Sequence, residues 1–506
     1  MFSYLNIPFL AIVALFVYRA PAATGSGIID PDYYWHLSYG DWIVDNWRLP
    51  TADFWSWTMD GKPYRLTQWL GEVVMALANR AGGELGTSVL AALLVSLTLT
   101  CSYRAARRYL DNRLAALAVA VGCNAILVSL SCRPHQFTHL GLACLTWIIA
   151  AYVTTGSRRA LYWIAPLFAV WVNLHGGYVV GLVYLWMLVG AMAADKFVRN
   201  ECAGILSSCA PLGWAALAGT LATLMNPYGW GAWQYAVEIA SLKSSSAGIV
   251  DEWAATSIKG DAGFNFFIVT TIMFACMIAS VKRPSLGSML CAFALTAAGW
   301  SAIRISLMMT ILMVPIVAAW LIHTPFYKVV FEGKACRYDR TVNPMIASFI
   351  LIAILAVSLI ASPADRMARK YVHQNFPQEE SRFMKENELE GRLLNPPEAG
   401  GFLLRETGRK VALDTRLDLY GDEALFEYLL ASKGAASWKT YLQRLDPEIV
   451  LASNHSALRQ LATESALYRL VYIGPRYSVM VKVGSRPDLE TVVATNNEDL
   501  LEQLQK

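Results

Sequence analysis

Runs of apolar residues broken by short polar loops occupy the chain up to about residue 363. Many are close to the ~18 residues that a helix needs to cross a bilayer. Their spacing predicts eleven membrane spans, near residues 3–20, 85–103, 114–131, 137–154, 160–174, 177–195, 207–225, 263–281, 285–301, 304–322 and 344–361. Basic residues concentrate in alternate loops: Arg104, Arg107, Arg108 and Arg113; Arg158 and Arg159; Lys196 and Arg199; Lys282 and Arg283; and Lys328, Lys334, Arg337 and Arg340. The intervening short loops hold mainly Arg133 and Arg304. Positive charge favours the cytoplasmic side, so the N-terminus is expected inside. With an odd number of spans, the segment after the last one is expected outside.

From about Ala364 the pattern changes. "GRLLN", "KVALDTR", "EIVLAS", "LVYIG" and "YSVMVK" read as short strands, alternating with helical stretches such as "DEALFEYLLAS" and "SALRQLATESALY". The expected architecture is a polytopic α-helical membrane protein with a C-terminal extracytoplasmic α/β domain. Residues 1–363 form the membrane domain, with a first extracytoplasmic loop at 21–83 and a second large loop at 226–262; residues 364–506 form the α/β domain. No G-x-G-x-x-G or P-loop spacing follows the strands of the tail, which argues against a nucleotide site. Both long loops are rich in tryptophan and tyrosine, the residues of the headgroup region, and predict amphipathic helices lying along the interface.

Composition sharpens this picture. With 56% hydrophobic and 16% charged residues, the chain lies outside the range of ordinary soluble domains. The net charge of +4 is small, and no basic stripe with interleaved aromatics points to nucleic acid. The nine cysteines lack C-x-x-C spacing, so neither a zinc site nor a disulfide framework is expected. "APAA" at 20–23 faintly resembles a signal-peptidase site, but no basic segment precedes it, and the first apolar run reads as a retained helix.

The polar residues near the outer ends of the spans are the candidate chemistry. In "DPDYYWHL", Asp30 precedes Pro31 and suits a helix N-cap, although it also counts among the candidate catalytic acids. Asp32 then falls in the first turn, one helical turn from His36, with Tyr39 continuing the same face. "SCRPHQF" places Arg133 and His135 at the outer edge, and "WSAIRIS" places Arg304 there. Gln68, Trp69, Asn173, His175, Asn226, Tyr228 and Glu252 complete a candidate pocket. Each also has a purely structural explanation: Asn-Pro and Gly-Gly are turn signals, and an arginine at a helix end can snorkel. Ionisable residues at membrane depth are nonetheless functional candidates by default. A carboxylate there can act as a general base, and arginines can hold a lipid phosphate. In the tail, Asp414, Arg416, Asp418 and Tyr420 follow a predicted strand; they suit acceptor binding, contact with the first loop, or a structural ion pair.

The layout resembles the GT-C superfamily of membrane glycosyltransferases, including protein mannosyltransferase-like and aminoarabinose-transferase-like enzymes. "DYYWHLSYGDWI" from Asp32 is followed by "MDGKPYRLTQWLGEVVMALANRAGG", where Gly61, Pro63, Tyr64, Trp69 and Leu70 fall about where the superfamily pattern wants them. Tyr33 stands where many members have glutamate, and "YRLTQWL" replaces "KPPL". A narrower resemblance, to uncharacterised bacterial membrane proteins, runs through "HGG", "NPYG" and "GGFLLRETGRKVALDTRLDLY".

The resemblance implies that the first-loop acid, here Asp32, is catalytic, with Asp30 and His36 beside it. Arg304, Arg133 and His135 are then expected to hold the phosphate of a polyprenyl-phosphate-linked sugar donor. The acceptor is a glycan, lipid or protein, with no role for nucleic acid. The expected location is the bacterial cytoplasmic membrane. Some superfamily members use a divalent metal and others do not, so magnesium or manganese at Asp30 and Asp32 stays open. A non-catalytic scaffold or transport component of an envelope polysaccharide system, or a polysaccharide polymerase or ligase, are the alternatives.

Overall fold

The computed structural model describes residues 11–15, 30–125, 132–246, 251–332 and 375–492. The chain divides into two compact units, Met1–Ala23 with Thr67–Ser362, and Thr24–Leu66 with Pro363–Lys506. The first loop is thus split, and its larger part groups with the C-terminal segment.

The first unit is helical. Among the described residues, six helices are long and apolar enough to cross a membrane: Trp69–Ala106, His135–Thr155, Tyr178–Val198, Cys202–Ala222, Asp261–Ala279 and Ile303–Leu321. The expected spans 114–131, 160–174 and 285–301 contain the shorter helices Arg113–Asn124, Ile164–Leu174 and Leu286–Ser301. The expected spans 3–20, apart from residues 11–15, and 344–361 lie outside the described residues. The 38-residue Trp69–Ala106 helix starts well before the apolar run at 85 and is kinked where Gly82 and Gly83 leave helical geometry. Ile303–Leu321 is buried on almost every face and packs against five neighbouring helices. Close approach depends on missing side chains. A Cβ on Gly141 or Gly181 would come within 2.6 or 2.7 Å of the Trp171 indole, which is 1% exposed.

In the second unit, a four-stranded sheet has the order β1–β2–β4–β3, with β1 Leu393–Leu394, β2 Ile449–Ser453, β3 Tyr468–Ile473 and β4 Tyr477–Lys482. β1 runs parallel to β2, and the other pairs are antiparallel. "KVALDTR", expected as a strand, forms only isolated bridges, Val411 pairing with Ser56 and Leu393. Beyond Val411 the partner is a side chain: Asn395 accepts from the Ala412 amide at 2.9 Å and donates to the Leu413 carbonyl at 2.7 Å.

The Pro31–Asn46 helix belongs to this unit. It starts as the sequence suggests, with Asp30 accepting from the Asp32 amide at 3.0 Å and Pro31 in the first turn. Its aromatics are not spread along a surface, as a helix lying on the membrane interface would have them. Tyr33, Tyr34, Trp35 and Tyr39 are buried, and Tyr34 meets Phe376 and Phe402 edge-on, each at 5.1 Å. The partner helix is Pro397–Thr407. A Cβ on its Gly401 would sit 3.0 Å from the Pro31 carbonyl, and one on Gly400 only 2.1 Å from the Leu413 carbonyl. The "GGFL" signature is therefore a packing requirement.

One buried acid makes this unit pH-sensitive. Glu380 is 1% exposed; its Oε1 accepts from the Tyr477 amide at 3.2 Å, while Oε2 has no hydrogen-bond partner among the described residues. Burial, reinforced by Glu379 and only partly opposed by backbone donors, pushes its pKa up to about 7. A raised pKa means the folded state holds the proton more tightly than the unfolded chain. This stabilisation is complete below about pH 4.5 and disappears as pH rises through about 7. The unit is expected to lose roughly 2–3 kcal/mol between pH 5 and 8 from this group, and Glu380→Gln to flatten the dependence. Thermal unfolding against pH checks it; equal slopes in the two proteins would refute it.

Candidate functional site

In the first unit, the sequence brings two cations to one acid. The segment around the Asp251–Trp253 turn is fixed to the hairpin before Ile303–Leu321: the Ile303 amide donates to Ala254 at 3.0 Å, and Thr256 Oγ1 donates to Gly299 at 2.7 Å. Glu252 Oε1 accepts from Arg133 at 2.5 Å, and Oε2 lies 3.8 Å from Arg304 Nε. Arg304 also lies over the Trp253 ring at 5.5 Å. Burial pushes the Glu252 carboxyl up, but Arg133 and Arg304 more than reverse this and hold it below its ordinary value.

His135 and His139 lie one turn apart at the start of the His135–Thr155 helix, and His175 reaches the same turn through Thr138. His135 and His139 meet edge-on at 5.3 Å. His175 Nδ1 lies 2.8 Å from Thr138 Oγ1.

Other expected pocket residues make structural hydrogen bonds. Asn173 accepts from Trp69 Nε1 at 3.0 Å and donates to the carbonyls of Ala169 and Met225, tying three helical segments together. Asn226 accepts from the Tyr228 amide at 2.8 Å and donates to Thr223 and Gly229, which closes the "NPYG" turn. Gln68 is the residue before the Trp69–Ala106 helix, and its side chain makes no cap.

In the second unit, Asp32 Oδ1 accepts from the Trp35 indole at 3.3 Å and from the Thr415 hydroxyl. Trp35 also donates to Thr415 Oγ1 at 3.1 Å. His36 is buried against Trp35, with ring centres 3.7 Å apart and the rings tilted by 36°. Next to Thr415 lies a buried cluster around Arg416. Its Nη2 meets Asp414 Oδ2 at 2.5 Å, and its Nη1 donates to Asp53 Oδ1 at 2.7 Å and Tyr39 Oη at 2.5 Å. Tyr420 donates to Asp414 at 3.1 Å. Burial opposes the Arg416 charge, but Asp414, with Tyr39 and Tyr420, holds the guanidinium protonated; burial pushes the Tyr420 phenol well above its usual range. Asp418, half-buried, sits in the first turn of the next helix.

No protein-family model and no curated protein matches the chain. Solved structures do. The Archaeoglobus fulgidus oligosaccharyltransferase, tethered to an acceptor peptide containing the NVT sequon, matches 98% of this chain and 75% of its own, at 12% identity and a TM-score of 0.51. ArnT from Cupriavidus metallidurans bound to undecaprenyl phosphate matches 94% of this chain and 98% of its own, at 13% identity and a TM-score of 0.50; its apo form gives 0.52. The chain has the GT-C fold. At these identities the likeness is one of fold.

A zinc and sulfate complex of the same oligosaccharyltransferase is also similar, at 11% identity. Among the described residues, no group of three or more His, Cys, Asp or Glu side chains is placed to hold a metal ion. Asp30 is engaged as a helix cap, and Asp32 Oδ1 takes two hydrogen bonds.

Sequence reasoning missed Asp53, Thr415 and Thr138. Asp53 and Arg416 are 363 residues apart. Thr138 carried one readable sign, its position within the polar "RPHQFTHL" stretch.

Proposed function

We propose that this chain is a multi-pass glycosyltransferase of the bacterial cytoplasmic membrane, moving a sugar from a polyprenyl-phosphate-linked donor to an extracytoplasmic glycan, lipid or protein. The N-terminus is cytoplasmic and the C-terminal segment extracytoplasmic. The observation that carries this reading is the Arg133–Glu252–Arg304 cluster with His135, set at helix ends in a GT-C fold. Two guanidiniums facing one carboxylate are a site that already accepts a tetrahedral or planar oxyanion. Their charge stabilises the phosphate that leaves when the bond between the anomeric carbon and oxygen breaks. Asp32 takes the proton from the acceptor as the new bond to that carbon forms. The Thr415 hydroxyl and Trp35 indole fix the orientation of its carboxylate.

Binding of undecaprenyl phosphate to the purified full-length protein in detergent tests the donor assignment. Arg133→Gln and Arg304→Gln are each expected to weaken binding about tenfold, and inorganic phosphate to compete poorly because it lacks the chain. Equal affinity of the wild type and both variants would exclude the phosphate role and favour a non-catalytic scaffold.

A further inference from the structure

The proposal concerns "NLHGG" and rests on the donor-phosphate reading above. His175 lies immediately after the Ile164–Leu174 helix, in extended backbone, and Tyr178–Val198 follows within three residues. Its Nδ1 has two polar neighbours. The Gly177 backbone N–H, which can only donate, points at Nδ1 from 3.1 Å. Thr138 Oγ1 lies 2.8 Å away on the other side. That hydroxyl already accepts from the Trp171 indole N–H, another obligate donor, at 3.1 Å. Because the Gly177 amide already donates to Nδ1, that nitrogen carries a lone pair, and the threonine hydroxyl directs its own proton at it. Both neighbours therefore donate to Nδ1, which must carry a lone pair, and the ring proton is on Nε2.

Packing makes this arrangement obligatory. A Cβ on Gly177 would meet Thr138 Oγ1 at 2.3 Å and its methyl at 2.5 Å, so only glycine lets the amide reach the ring. Trp171 is clamped between Gly141 and Gly181. The second glycine of a pair that reads as a turn signal thus holds one tautomer of one histidine. Through Thr138, His175 touches the first turn of the His135–Thr155 helix, which starts two residues after Arg133. There an imidazole with Nε2 protonated offers a donor, whereas the other tautomer would offer a lone pair and repel an anion.

We infer that His175, locked as the Nε2–H tautomer by Gly177 and the Trp171–Thr138 relay, donates a hydrogen bond to the phosphate group held by Arg133 and Arg304. Thr138 is a positioning residue: it acts only through the imidazole.

Two readouts test this. In full-length protein labelled with 15N-histidine, the His175 ring signals, assigned among seven histidines by their loss in His175→Gln, are expected to show protonated Nε2 and bare Nδ1. Undecaprenyl phosphate should then shift the Nε2–H signal. Thr138→Val is expected to mix the tautomers and weaken binding about tenfold, and Thr138→Ser to restore both. If Thr138→Val does not fold, His175→Gln, whose amide reaches the Nε2 position, should bind at least about fivefold more tightly than His175→Asn. A protonated Nδ1 in the wild type would overturn the inference. So would unchanged binding by Thr138→Val alongside lost binding by Arg304→Gln, a combination that leaves the donor reading intact. Failure of the wild type to bind would overturn both.

Discussion

Arg416→Met is expected to destabilise the unit formed by residues 24–66 and 363–506 by about 3–5 kcal/mol, enough to unfold it at moderate temperature. The reason is what the substitution leaves behind. Arg416 satisfies both oxygens of Asp414 and one oxygen of Asp53, and all three side chains are wholly buried. Without the guanidinium, two carboxylates and the Tyr39 hydroxyl remain in a space built of Tyr39, Tyr64 and Tyr420 rings. Lysine would rescue little, because a point charge cannot repeat the forked geometry that reaches Asp414 and Asp53 together. Breaking the cluster from one side is the costly operation, whereas replacing all three charged residues by apolar ones of matched volume should cost much less. Denaturant unfolding of the full chain, read by protease resistance of residues 375–492, measures the loss. A variant as resistant as the wild type would show that the cluster does not hold the unit together.

The same cluster shows where the sequence stops being legible. Local features were readable: Asp30 before Pro31 caps a helix, and the short apolar runs in "EIVLAS" and "YSVMVK" become β2 and β4. Hydropathy located six apolar helices long enough to cross a membrane because lipid imposes a length and a polarity on each. Long-range polar pairing leaves no such trace. Nothing near Asp53 announces that its partner is Arg416, and nothing in "KVALDTR" shows that Asn395 will replace a strand partner. The aromatics of the first loop were misleading for a related reason. A tyrosine with an apolar body and polar tip suits a lipid interface and a buried hydrogen-bonded core equally well. Tyr39 takes the second role because Arg416 is there to donate to it.

Asp32→Asn is the sharper test of function, and a loss of about 10²–10⁴ in the rate of sugar transfer is expected, with donor binding unchanged. The substitution is nearly isosteric, and its amide oxygen can still accept from the Thr415 hydroxyl and the Trp35 indole, so the helix beginning at Pro31 should stay intact. What disappears is the capacity to take a proton from the acceptor. Asp30→Asn is the matched control. Its side-chain oxygen can still cap the Asp32 amide, and asparagine is as good an N-cap as aspartate, so stability should change by less than about 1 kcal/mol. A neutral Asp30 variant beside a crippled Asp32 variant would separate the base from the cap, two acids two residues apart with different tasks. Transfer assays in proteoliposomes, read together with undecaprenyl phosphate binding, distinguish the remaining outcomes. Full activity in Asp32→Asn would remove this carboxylate from the reaction, whereas lost activity together with lost binding would mark it as part of the donor site. Lost activity with intact binding is the pattern that a general base requires, because the proton it removes belongs to the acceptor and leaves only as the new glycosidic bond forms.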